Sequence, residues 1–72
     1  MIYQPIKSSN LASTAYDPVR QVLGVEFKSG RKFEYPAVSP DQHSEMMAAD
    51  SVGSYFASHI RVRKSHAGVE IK

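Results

Sequence analysis

The clearest pattern in the chain is an alternation. Leu23, Val25 and Phe27 alternate with Gly24, Glu26 and Lys28, and further on Phe33 and Tyr35 bracket Glu34. Period-two alternation puts each apolar set on one face of a strand. The two runs therefore predict a hairpin, and its register can be worked out. A two-residue loop, Ser29-Gly30, would put Phe27 and Phe33 on opposite faces and split the apolar set. A three-residue loop of Lys28, Ser29 and Gly30 pairs Val25 with Phe33, Leu23 with Tyr35 and Glu26 with Lys32. It also places Gly30 at the third loop position, where a left-handed residue forms a bulge and glycine is favoured. Upstream, residues 11–16 are β-permissive and end at Asp17-Pro18, a turn signal, which predicts a first hairpin into residues 21–27. Residues before about Ser9 read as edge-like or poorly ordered, with Pro5 removing a backbone donor.

After Pro36 the period changes. Ser39 suits an N-cap, Pro40 the first helical position, Asp41 the positive end of the helix dipole, and Gln42 the return bond of a capping box. The first helix is expected over residues 40–49. A second restarts at Asp50 or Ser51 and runs to Ile60. In it Tyr55, Phe56 and Ile60 follow Val52 by three, four and eight residues, on one helical face. Gly53 in that helix weakens it by up to about 1 kcal/mol and suggests a close backbone approach. Val69 and Ile71 alternate weakly, so residues 62–72 are either an added strand or a basic tail. The expected fold is α+β: a three-stranded antiparallel meander followed by two short helices packed on one face.

Composition narrows the functional classes. Seventy-two residues make one domain, 1–72, with a small core. There is no cysteine, which excludes disulfides and thiolate metal sites. The polar start and the short apolar runs predict a cytoplasmic protein with no membrane partner. Net charge is only +2 but unevenly placed. Lys28, Arg31 and Lys32 gather at the hairpin tip, and Arg61, Arg63 and Lys64 follow the second helix. Asp41, Glu45 and Asp50 make the first helix acidic.

Catalytic chemistry finds little support. The serines lie in no Gly-x-Ser-x-Gly turn, and Ser39 and Ser51 are explained as caps. His43, His59 and His66 have no ligand spacing with each other or with Glu45, and no glycine motif cradles a phosphate. Neither a cofactor nor a metal is expected, and the chain reads as a non-enzyme. Nucleic-acid binding fits better. Single-stranded RNA is bound by aromatic rings beside a basic groove. Lys28, Arg31, Lys32, Arg61, Arg63 and Lys64 would meet phosphates, while Tyr35 or Tyr55 would stack on bases. Phe33 is expected in the core. The alternative is a protein-interaction module, a small phage- or prophage-type regulator docking on a larger protein through an open sheet edge.

An ordered set of short matches covers residues 8–61. It comprises Ser8-Ser9-Asn10-Leu11, Ala15-Tyr16-Asp17, Leu23-Gly24-Val25-Glu26-Phe27-Lys28-Ser29-Gly30, Phe33-Glu34-Tyr35, Pro36-Ala37-Val38-Ser39, Ala49-Asp50-Ser51-Val52-Gly53-Ser54-Tyr55-Phe56 and Ile60-Arg61. In this order they resemble the KTSC family, the small domain named for its occurrence at the C-terminus of some lysyl-tRNA synthetases. The family occurs as an appended domain and as free-standing proteins, and the resemblance implies a role in RNA binding. Phe33 stands where the family usually has the first tyrosine of a Tyr-x-Tyr centre, which leaves Tyr35 as its polar member. Nothing carries over onto residues 62–72.

Overall fold

A computed structural model describes residues 1–63 and 67–71. Five strands, β1 (Gln4–Pro5), β2 (Leu11–Asp17), β3 (Val22–Phe27), β4 (Lys32–Tyr35) and β5 (Val69–Ile71), form one antiparallel sheet in chain order. Between β4 and β5 come α1 (Pro40–Ala48) and α2 (Val52–Phe56), the latter running on into a π-helical turn, Ala57–Arg61. The α+β class and the two helices match the sequence reading, but the sheet has five strands rather than three. Both additions are edge strands. With two residues, one of them Pro5, β1 is too short to show any periodicity. The three residues of β5 are fixed by pairing with β4 rather than by a strong pattern of their own.

The central hairpin has the register that alternation requires, with Leu23 opposite Tyr35, Val25 opposite Phe33 and Glu26 opposite Lys32. Gly30 sits at φ +95°, and its N–H donates to the Phe27 carbonyl at 2.9 Å. In β2 the pairing shifts between Leu11 and Ser13. That bulge adds one residue, so Leu11 and Thr14 both face the helices while Ser13 turns to the other side. There the Ser13 hydroxyl donates to Glu26 at 2.8 Å.

The helices cover one face. Leu11, Leu23, Val25 and Tyr35 of the sheet pack against Val38, Met46, Phe56 and Ile60. Helix α1 starts as expected, with the Ser39 hydroxyl accepting from the Gln42 N–H at 3.1 Å. The Gln42 side chain does not close a capping box. Its amide donates to the His59 carbonyl at 3.4 Å and ties the two helices together. Ser51 caps α2 by accepting from the Ser54 N–H. Gly53 is the close approach its sequence position suggested, since a Cβ there would lie 2.6 Å from the Ser8 hydroxyl oxygen. Val38 locks the entry to α1: its N–H donates to the Gln21 carbonyl at 2.9 Å, and its own carbonyl accepts from the Tyr16 hydroxyl at 2.5 Å.

Candidate nucleic-acid interface

The basic residues singled out from the sequence separate into distinct environments. Arg31, just before β4, alternates with Phe33 and Tyr35 within it, and the three share the helix-side face, as does Phe27 on β3. Phe27 and Phe33 meet edge to face at 5.6 Å between ring centres. The Arg31 guanidinium lies 5.4 Å from the centre of Phe33, and that of Arg61 lies 5.5 Å from the centre of Phe27. Two segments thirty residues apart in sequence thus place planar cations on a common pair of half-buried aromatic rings. Lys28 follows Phe27 at the hairpin tip and Arg63 lies two residues beyond Arg61, and both are exposed. The acidic residues Asp41 and Glu45 lie on α1, and Asp50 lies between the two helices.

The remaining candidates lie elsewhere. Lys32 points to the opposite face, with its ammonium 4.8 Å from the centre of the Tyr3 ring. The parity of β4 separates it from Arg31, although the two are adjacent in sequence. Tyr35 is only 4% exposed, so its ring is no stacking platform. Phe56 stands against it at 5.0 Å, and Gly68 passes close over its edge. Burial pushes its hydroxyl pKa up, and the nearby Arg61 charge acts in the opposite sense. Tyr55 is half-buried and packs on His59, with ring centres 4.4 Å apart. Lys64 and His66 lie outside the described residues.

Two residues the sequence reading did not select matter here. Phe27 is an aromatic of the corner, a role its alternation with core residues conceals. Glu70 is the other. It receives Arg31 in a bidentate ion pair, Nε to Oε2 and Nη2 to Oε1, both 2.9 Å. This contact holds the Arg31 pKa up and the Glu70 carboxyl pKa below its ordinary value. It depends on the β4–β5 register, which places Glu70 beside Phe33.

A groove of about 520 Å³ opens on the other side of the molecule, lined by Ile2, Gln4, Thr14, Tyr16, His43 and Met47 among others. His43 stacks on Tyr16 at 4.2 Å, nearly parallel, and burial lowers its pKa. Among the described residues no lysine or arginine lines this groove, so they bring it no fixed positive charge for a phosphate. Among the described residues, no group of three or more His, Cys, Asp or Glu side chains is placed to hold a metal ion. No helix among them is long and apolar enough to cross a membrane.

A family model, the KTSC domain, matches residues 7–63. The chain belongs to the KTSC domain family. The KTSC match spans β2 to the end of the π turn and stops short of β5. An uncharacterized protein of Stutzerimonas stutzeri is 45% identical over 51 residues, covering 71% of this chain and 72% of that protein. A protein of Tsukamurella paurometabola is 32% identical over 60 residues, covering 83% of this chain and 90% of that protein. The crystal structure of a KTSC domain protein from Yersinia pestis superimposes with a TM-score of 0.82 at 28% identity. The superposition covers 99% of this chain and 94% of the other.

Proposed function

We propose that this KTSC domain is a non-enzymatic cytoplasmic binding module whose ligand is a nucleic acid, single-stranded RNA first of all. The observation that carries the reading is the corner where Arg31 and Arg61 stand over Phe33 and Phe27. Guanidinium planes are suited to bidentate contact with phosphate, and aromatic rings or the guanidinium planes themselves can stack on bases lifted out of a stack. Lys28 and Arg63 extend the positive surface along a strand's backbone. Lys32, Tyr35 and Tyr55 take no part in contacting the ligand.

The test is a fluorescence-anisotropy titration with labelled single-stranded RNA, tRNA and duplex DNA across a salt series. RNA binding is expected to survive physiological salt. Replacing Arg61 and Arg63 together by Gln should weaken it and flatten the slope of log K against log salt by about 1.4 for single-stranded RNA. Unchanged affinity and slope in that variant would refute the assignment. A protein-interaction module is the second reading. It is favoured by Ile2, 82% exposed, and Val69, 65% exposed, which lie beside opposite edges of the sheet. A protein partner held through those residues gives a complex with little salt dependence.

A further inference from the structure

Strand β5 lies beyond residues 7–63, the span of the family match, within a fold that superimposes on another KTSC domain protein over 99% of the chain, and it occupies the β4 edge beside the cationic corner. We infer that β5 is a strap that competes in cis for the anionic ligand of Arg31, so that the Glu70 carboxylate stands where a phosphate of the ligand would. The inference rests on the binding reading above for the identity of that ligand. Its own support is geometric. A carboxylate and a phosphate both meet a guanidinium through two parallel N–H···O bonds, and the Arg31–Glu70 pair already has that form. While it lasts, the Nε/Nη2 edge of Arg31, the one that offers two parallel donors to Glu70, is taken and its charge is matched by a carboxylate.

The strap is also weakly held. It has three residues, with Val69 65% and Ile71 39% exposed, so it brings little apolar burial. The exposed ion pair is screened by salt. Three antiparallel residue pairs with β4 tie it to the sheet, and Gly68 comes close to the core because it lacks a side chain: a Cβ there would fall 2.4 Å from the Tyr35 ring. Phe56 and Phe33 hold that ring in place, so a side chain at position 68 would move the strap and not the tyrosine.

Two substitutions release the strap by different routes. Glu70→Gln removes the competing charge. Gly68→Val lifts the strand without altering net charge. Both should speed amide hydrogen exchange at Val69–Ile71 in the free protein. Both should also tighten binding of a single-stranded RNA oligonucleotide by roughly three- to tenfold, a gain of about 0.6–1.4 kcal/mol by the tenfold rule. Glu45→Gln, an equal charge change on α1, should give much less. Adding Arg31→Gln to Glu70→Gln should remove the gain. A second probe, inorganic pyrophosphate, is followed through the NMR signal of the Arg31 side-chain N–H. It should shift that signal saturably in both released variants and far less in the parent.

Each outcome decides. If pyrophosphate reaches Arg31 in the released variants but RNA binds none of the proteins, the strap stands and the nucleic-acid reading fails. If the strap opens and neither probe gains, the inference is overturned. It is also overturned if Glu45→Gln gains as much as Glu70→Gln, because the effect is then net charge alone.

Discussion

The two faces of the sheet are built on different terms. On the helix side Leu23, Val25 and Tyr35 meet Met46, Phe56 and Ile60, all at most 4% exposed. On the other side the same strands present Gly24, Glu26, Lys32 and Glu34, and β2 contributes Ser13 and Ala15. The small ones among them, Gly24 above all, are covered by side chains alone. Tyr3 lies across Gly24, Lys32 reaches over the Tyr3 ring, and Arg20 approaches Glu34 at 3.8 Å. Both faces bury backbone. The first does it with volume contributed by four elements, the second with one ring and the stems of charged residues. Loss of a side chain should therefore cost most on the first face. Gain of one should matter most on the second.

Phe56→Ala tests the first half of that statement. Phe56 sits between Tyr35 and Phe27 and is 2% exposed, so its removal leaves a cavity in the middle of the core. The expected loss is about 3–5 kcal/mol, read from urea unfolding. A loss below about 1 kcal/mol would mean that the helix layer is not packed as described.

Gly24→Ala tests the second. A Cβ there would lie 2.6 Å from the Tyr3 hydroxyl oxygen and 2.9 Å from its ring carbon. The ring can swing away, so the expected cost is about 1 kcal/mol, the low end for overpacking. The sharper form is a double-mutant cycle. In a Tyr3→Ala background Gly24→Ala should be neutral or mildly stabilising, because alanine suits a strand interior better than glycine. Equal costs in both backgrounds would remove Tyr3 from the account.

These positions show what could be read from residue order. The central hairpin was legible because Leu23, Val25, Phe27, Phe33 and Tyr35 demand one face and Gly30 permits one loop. Ser39 and Ser51 announced their caps by local chemistry alone. Illegible features depended on partners distant in sequence. Pro5 left the N-terminal segment readable as either edge-like or poorly ordered, because what makes β1 a strand is its pairing with β2. Arg31 looked like a free cation, since Glu70 becomes its neighbour only through a strand added at the far edge. Lys32 looked like part of the same cluster, and only strand parity separates the two.

The smallest effect concerns the groove between the faces' edges. His43 is half-buried on Tyr16, and that burial lowers its pKa. The unfolded chain then takes up a proton at a higher pH than the folded one. This stability is full above the ordinary histidine value, about 6.5, and is lost as pH falls below it toward the lowered folded value. His43→Phe keeps a stacked ring and cannot titrate. Its Tm should decline less between pH 7 and pH 5 than that of the parent. Parallel declines would show that His43 contributes nothing to the acid sensitivity of the fold.

The strand order carries one mechanical consequence. The first and last strands are opposite edges of the sheet, and the strands lie side by side in chain order. Tension applied through the two ends would act across the strands rather than along them. The ladder would then open like a zipper, a bond or two at a time, from whichever edge yields first. With two residues in one edge strand and three in the other, the domain is built to let go gradually under load.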